Sequence, residues 1–219
     1  MNLDRIMLAV VCGLTLFGTT AGAQQFSADL VDLNADGSRR EPGEGGQLFV
    51  AGDKVRIDRT EASRTRFLVD ADKGTAYAVA PMQRLYMDAK QSSILTELMV
   101  PVDPSNPCVR WQAMASVAGD PTGQWQCEQA GSEDLDGRTA VKVMMISPTG
   151  VKRTGWIDAT LKFPLKFQTA DGAIIALRNI VEAPQPARLF VIAGSFRKYD
   201  PAQLIARIKQ SDVWVEPVK

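Results

Sequence analysis

The chain has 219 residues, with 25 lysines and arginines, 25 aspartates and glutamates, and no histidine. This balance gives no electrostatic attraction to nucleic acid, and the missing imidazole removes the usual base of hydrolytic triads and the commonest ligand of transition metals. We therefore expect a protein that is not an enzyme, binds no nucleic acid, and uses no metal and no cofactor.

An export signal is predicted at the N-terminus. A basic residue precedes an apolar run over 6–17, and residues 21–23 have the small-x-small pattern that signal peptidase recognises. The alternative is a retained membrane anchor, which would need roughly 20 apolar residues, whereas this run has about twelve. The signal peptide is therefore predicted to span 1–23, with cleavage near Ala23-Gln24 and export to the periplasm.

The mature chain, 24–219, contains no linker rich in Pro, Gly or Ser and is predicted to form one domain. Its first half alternates apolar and polar residues in short runs separated by turn residues about every ten positions. The two runs on either side of 52–53 are typical of a β-hairpin, and further runs follow at 65–69, 75–80 and 85–87. This pattern predicts an antiparallel meander.

A helical insertion is predicted at 89–127. The apolar spacing over 93–99 favours a short helix. A second helix is predicted to begin at Pro107, directly after the capping residue Asn106, and to end before Gly119.

Cys108 and Cys127 are the two cysteines of the predicted mature chain. In an exported protein such a pair favours a disulfide, which here would close a loop of about 20 residues. The bond would tie the start of the second helix to the next strand. The alternative is two unrelated, reduced thiols, and the absence of a CxxC spacing leaves a redox role without support.

Strand patterns resume after the insertion. The run 161–169 places apolar residues on one face and lysines on the other, which is typical of a sheet exposed to water on one side. In the runs 140–147 and 173–181 both faces are apolar, which predicts that helices or a ligand cover both sides. A last helix with an apolar stripe is predicted from Asp200-Pro201. The sequence thus predicts a mainly β (α+β) protein with about ten strands and two or three helices.

Three motifs have both a functional and a plain structural interpretation. Residues 32–37 match the first half of a calcium loop, but Gly43 replaces the required glutamate, so a solvated hairpin loop is favoured. The acids at 133–136 could pair as in a glycosidase, but their place before Gly137 favours an exposed turn. Eight scattered methionines lack the spacing of a copper carrier and favour an adaptable apolar lining.

The segments 46–50, 54–58, 155–158 and 163–166, with the export signal and the helical insertion, resemble the LolA/LolB-like periplasmic lipoprotein-carrier superfamily. The resemblance covers most of 26–199. It implies a strongly curved antiparallel sheet, an incomplete barrel, whose concave apolar face is lidded by helices and receives lipid chains. The disulfide-bearing insertion departs from the plain carrier pattern.

The resemblance implies binding without chemistry. We expect a monomer, at most peripheral to the membrane, that holds lipid or lipoprotein acyl chains in the concave face and serves the sorting of outer-membrane lipoproteins. The alternative is an envelope protein-interaction or regulatory module on the same fold. An arginine that holds the lid closed is also implied, with Arg56 and Arg66 as candidates. The residues predicted to line the ligand are Ile94, Leu98, Trp111, Met114, Met144, Ile146, Ile174 and Leu177.

Overall fold

A computed structural model describes residues 24–40, 45–59, 65–89, 94–118 and 124–202. The elements are, in chain order, β1 (Gln25–Leu33), β2 (Gly46–Ala51), β3 (Lys54–Arg59), β4 (Arg66–Asp70), β5 (Thr75–Ala80), β6 (Leu85–Asp88), α1 (Ile94–Leu98), α2 (Pro107–Ala118), β7 (Gln126–Leu135), β8 (Arg138–Ile146), β9 (Lys152–Asp158), β10 (Phe163–Gln168), β11 (Ile174–Glu182), the 3₁₀ helix η1 (Ala187–Phe190) and β12 (Arg197–Lys198).

The strands of the described residues form one twelve-stranded sheet in the order β12-β6-β5-β4-β3-β2-β1-β11-β10-β9-β8-β7. Two antiparallel meanders, β1 to β6 and β7 to β11, are joined by antiparallel pairing of β1 with β11, and β12 is added parallel to β6. Because β12 and β7 remain at opposite ends, the sheet does not close into a barrel. The predicted incomplete barrel is confirmed, with twelve strands instead of about ten.

One face of the sheet, here called the inner face, carries α1 and α2 and holds the main apolar core. Since side chains alternate along a strand, paired residues such as Leu48 and Ile57, or Val50 and Val55, reach this face together. The largest side chains with less than 2 % exposure are Trp111, Phe26, Phe163, Phe167, Leu30, Leu48, Ile57, Met99, Met114, Met145, Ile157 and Val50.

The opposite face, here called the outer face, is partly covered by the segment 183–196, which we call the strap. The strap crosses β3 at η1, where Arg56 Nη1 donates a hydrogen bond to the Leu189 carbonyl at 3.4 Å. Phe190, the last residue of η1, and Ile192 line a cavity of about 310 Å³ over β4 to β6. The strap then leads into β12, whose two residues were too few for a sequence pattern to predict.

The outer face is open over β8. Val143 and Met145 are buried, whereas Met144, between them, is 44 % exposed. Among the described residues no helix covers this side of β8, so the prediction of cover by helices is wrong here, and cover by a ligand stays a prediction. Along β11 the adjacent Ala176 and Leu177 are both buried, as predicted, whereas Val181, in the same predicted run, is 56 % exposed.

One sequence interpretation of a loop changes in the structure, and one predicted helix is described only at its start. Glu133 and Asp134 belong to β7, and the turn that follows consists of Asp136 and Gly137, both at positive φ. The predicted last helix begins at Pro201, and its apolar stripe lies outside the described residues.

A disulfide joins Cys108, in the first turn of α2, to Cys127, the second residue of β7. Their Cα atoms are 5.8 Å apart, within the ordinary range for such a bond. The predicted pairing is confirmed, and it fixes one end of α2 to an edge strand of the sheet.

Replacing both cysteines, Cys108→Ser with Cys127→Ser, should lower the free energy of unfolding by about 3 kcal/mol, because the unfolded chain gains the freedom that the crosslink removes. Urea unfolding with and without a thiol reductant measures the effect. The reductant should bring the wild-type protein to the stability of the double variant and leave the variant unchanged. Equal stability of the wild-type protein and the double variant in the absence of reductant would contradict the prediction.

Candidate functional site

The helices α1 and α2, here called the lid, cover the inner face, and a side chain of α2 fills the hollow beneath them. Trp111 of α2 is fully buried, its ring meets Phe167 of β10 edge to face at 5.4 Å, and its Nε1 donates a hydrogen bond to the Leu98 carbonyl at 3.1 Å. Met114, one turn further along α2, is also fully buried. The hollow of the half-barrel is therefore occupied by the lid in this closed arrangement.

Gly155 of β9 makes room for the indole. A Cβ atom at this position would lie 2.9 Å from Phe167 Cε1 and 3.2 Å from Trp111 Cη2. Both distances are too short for ordinary packing, so a side chain here would displace one of the rings. The missing side chain creates a flat slot between β9, Phe167 and Trp111.

A buried ion pair holds α1 to the sheet. Arg153 Nη1 of β9 donates a hydrogen bond to Glu97 Oε1 of α1 at 2.9 Å, and the two side chains are 13 % and 3 % exposed. The Arg153 guanidinium also lies over the Trp125 ring, with Cζ 5.3 Å from the ring centroid. Because each charge would be costly to bury alone, this contact acts as a latch for α1.

The second helix is fixed more firmly. Besides the disulfide, Arg110 of α2 contacts Asp53 in the β2–β3 turn at 3.2 Å and donates a hydrogen bond to the Ala71 carbonyl, directly after β4. Therefore α2 is attached to both halves of the sheet. Among the described residues α1 has no covalent link of this kind, so it is the more easily displaced part of the lid.

An apolar recess remains open at one edge of the sheet. It has a volume of about 220 Å³ and lies at the β4–β6 edge of the sheet, next to β12. Its lining, almost entirely apolar, consists of Thr65, Ala78, Val79, Ala80, Leu85, Tyr86, Met87 and Tyr199. None of these residues was among those predicted to line a ligand, although their strand pattern was recognised.

The residues predicted to line a ligand lie in different places. Leu98, Trp111, Met114 and Leu177 are buried in the core, and Ile94 is half-buried against it. Met144 and Ile146 instead line a separate cavity of about 420 Å³ over β7 to β9, together with Lys152 and Thr154. Ile174 is half-buried in β11. These eight residues do not form one lining, and their role toward a ligand stays a prediction.

Within the described part of the chain, the two arginines proposed for the lid make their polar contacts elsewhere. Arg56 and Arg66 lie on the outer face, and both bind the Asp58 carboxylate, at 2.5 and 2.9 Å. Burial raises the pKa of Asp58, but hydrogen bonding and charge from Arg56 and Arg66 outweigh it, so the pKa lies below its usual value. Arg153 is the arginine that contacts the lid, and its adjacency to Lys152 made it resemble an ordinary basic surface pair in the sequence.

A polar cluster surrounds Trp156 on the outer face of the sheet. The Trp156 indole and Lys142 both donate hydrogen bonds to Glu133, at 2.7 and 2.9 Å. The hydrogen bond from Lys142 is the largest cause that lowers the pKa of Glu133, and the bond from the indole is the next. Lys166 Nζ lies 3.7 Å from the centroid of the Trp156 ring, and burial is the main cause that lowers the pKa of Lys166. Glu133 is therefore an ionised structural partner of this cluster.

Within the described ranges, no group of three or more acidic or cysteine side chains is placed to hold a metal ion. None of the helices in those ranges is long and apolar enough to cross a membrane.

Comparison with protein-family models gives no match, and comparison with curated proteins gives none either. Among solved structures, the chain is similar to PNGF-II with 10% identity and a TM-score of 0.52, over 85% of this chain and 33% of that one. The chain thus spans about a third of the length of the PNGF-II chain. This similarity concerns the fold alone.

Two other solved structures are similar at lower scores. One is the MucA/MucB complex of Pseudomonas aeruginosa, with 12% identity, a TM-score of 0.42, and coverage of 80% of this chain and 57% of that one. The other is the LolA superfamily protein NE2245 of Nitrosomonas europaea, with 10% identity, a TM-score of 0.37, and coverage of 77% and 90%.

Gly155→Ala should lower the free energy of unfolding by about 1–3 kcal/mol, because the added methyl group overpacks the slot between Phe167 and Trp111. Gly194→Ala is the matched control, since nothing lies within 4 Å of a Cβ atom there, and its effect should stay within about 0.5 kcal/mol. Thermal and urea unfolding measure both. Equal effects of the two substitutions would contradict the proposed slot.

Glu97→Gln should lower the free energy of unfolding by about 3 kcal/mol, because it removes one charge of a buried ion pair. As a control, Asp136→Asn removes an exposed ion pair with Arg178, in which Asp136 is 71 % and Arg178 43 % exposed. It should lower the free energy of unfolding by less than about 1 kcal/mol. The double variant Glu97→Gln with Arg153→Met should recover part of the loss. Additive losses in that cycle would show that the latch contributes nothing.

Proposed function

We propose that the protein binds acyl chains of lipids or lipoproteins without chemistry, in the space between the inner face and the lid. The observation that carries this proposal is Trp111, a lid side chain that fills the hollow, together with an apolar recess that stays open at the β4–β6 edge. In this proposal a guest chain enters beside the lid and takes the place of the lid's apolar side chains.

The closed, empty protein and the open, loaded protein have comparable free energies, which a reversible carrier requires. Each buried methylene contributes about 0.8 kcal/mol, so a chain of about twelve contributes about 10 kcal/mol. Exposing Leu98, Trp111 and Met114 costs about 1.5–3 kcal/mol for each side chain, and opening the latch adds about 3 kcal/mol. A guest chain can therefore displace the lid, while the empty protein stays closed.

The cellular setting is part of the same proposal. We place the protein in the periplasm, exported by the signal peptide 1–23 and folded as one LolA-like domain over 24–219 that carries the insertion 89–127. The start of β1 at Gln25 supports this division, since the first strand begins just after the proposed cleavage site. A monomer that meets the membrane only to load and unload, within outer-membrane lipoprotein sorting, suits such a carrier.

The test is organic extraction of the purified, natively exported protein, followed by mass spectrometry of the extract. We expect acyl lipids in an amount approaching one guest per protein molecule. Glu97→Gln should raise the amount, because weakening the latch favours the open state, while Gly194→Ala should leave it unchanged. Empty protein from several expression hosts, with both variants also empty, would reject acyl binding.

A protein-interaction module on the same fold is the second candidate. It is favoured by the outer face over β7 and β8, where Met144 is 44 % exposed and β7 is the last strand of the sheet. An edge strand offers unpaired backbone groups to a partner. A periplasmic pull-down that yields one stoichiometric protein, loses it on Met144→Glu, and contains no lipid would favour this class over the carrier.

A further inference from the structure

The latch contains a hydrogen-bond donor that the closed state leaves unused. Trp125, only 6 % exposed, lies under the guanidinium of Arg153, and its buried Nε1 has no hydrogen-bond partner. An indole N–H can only donate, and a buried donor without an acceptor is costly. The guanidinium over the ring and the N–H at the edge of the ring are both donors, so an acceptor rich in oxygen atoms suits them.

The position of Arg153 relates this acceptor site to the hollow. Arg153 and Gly155 are two residues apart on β9, so both side-chain positions lie on the inner face, about 7 Å from each other. Gly155 borders the slot that Trp111 fills. A chain in that slot would therefore bring its end group to Arg153.

We propose that Arg153 and Trp125 Nε1 form a head-group site for acyl chains that end in an anionic carboxylate or phosphate, and that Glu97 occupies this site in the closed state. This inference rests on the proposed acyl-chain function. The Glu97 carboxylate is the stand-in: it presents to Arg153 the same oxygen atoms that a fatty-acid carboxylate would present. A guest with such an end group replaces both the lid's apolar side chains and its charge.

The asymmetry of the latch makes the exchange selective. Arg153 is held in β9, between β8 and β10, and stays in place when α1 moves away with Glu97. A carboxylate or phosphate pairs again with the guanidinium, whose fork of N–H groups matches these oxygens. A neutral end group forms no charge-assisted hydrogen bond of this kind with the guanidinium. Anionic chains are therefore preferred over neutral chains of the same length.

The experiment compares three ligands with one hydrocarbon chain: oleic acid, oleyl phosphate and oleyl alcohol. Their dissociation constants are measured by titration calorimetry at slightly alkaline pH, below the concentrations at which they aggregate, on the full mature protein. In the wild-type protein both anions should bind about tenfold or more tightly than the alcohol, as expected for a regained charge-assisted hydrogen bond. The tighter of the two anions identifies the natural end group.

Glu97→Gln and Arg153→Gln each remove one partner of the ion pair, and Trp125→Phe tests the N–H group. Glu97→Gln should tighten all three ligands and keep the preference for anions, because Glu97 is absent from the loaded state. Arg153→Gln should reduce the preference to about onefold, since the head-group partner is lost. Trp125→Phe keeps the ring and removes only the N–H, and it should lower the preference by a smaller factor.

The ratio of the dissociation constants for the alcohol and for an anion tests the head-group site independently of lid opening. A change in the fraction of closed protein alters both constants by the same factor and leaves their ratio unchanged. Equal binding of acid and alcohol to the wild-type protein, or an undiminished preference in Arg153→Gln, would overturn the head-group site and leave acyl binding intact. Failure of all three ligands to bind either the wild-type protein or Glu97→Gln would overturn the acyl-chain function itself. Circular dichroism of each variant verifies that it is folded.

Discussion

A sheet that bends without closing cannot cover its own apolar inner face, and the rest of this structure depends on how that face is kept from water. Twelve strands leave the hollow open between β12 and β7. The hydrophobic cost of such a surface is met by α2, which places Trp111 against Phe167 and over Gly155. Because the side chain that fills the hollow belongs to a separate helix and not to the strands, emptying the hollow does not require the sheet to unfold.

The two helices of the lid are attached by different kinds of contact, and this difference gives the lid a direction of movement. The disulfide and the contacts of Arg110 fix α2 to both meanders, so its start behaves as part of the sheet. In contrast, α1 is held by buried apolar contacts and by the pair between Glu97 and Arg153. A movement of α1 breaks only noncovalent contacts. It would also take away the Leu98 carbonyl that accepts from Trp111, so the release of α1 loosens the indole.

Local patterns in the sequence predicted what is local in the fold. Alternating residues marked most strands, Gly and Asp marked their turns, and the two cysteines predicted the crosslink of the insertion. The functional contacts were missed because they join distant segments: Glu97 and Arg153 are 56 residues apart. Nothing near Arg56 or Arg66 in the sequence distinguishes them from Arg153, and only the alternation of faces places them on the outer side with Asp58. The strap escaped prediction for the same reason, since its contacts with β3 and β6 have no period.

A buried charge at the rim of an apolar hollow is a costly feature for a protein that merely needs to be stable. Hydrophobic residues in place of Glu97 and Arg153 would close the lid at least as well, since buried ion pairs rarely outperform apolar packing. What an apolar replacement cannot do is penalise the state that is both open and empty. With the ion pair, Arg153 binds Glu97 in the closed protein and would bind the guest in the loaded protein, so only the open, empty state lacks this carboxylate contact. The latch thus favours direct exchange between lid and guest over an exposed, aggregation-prone hollow.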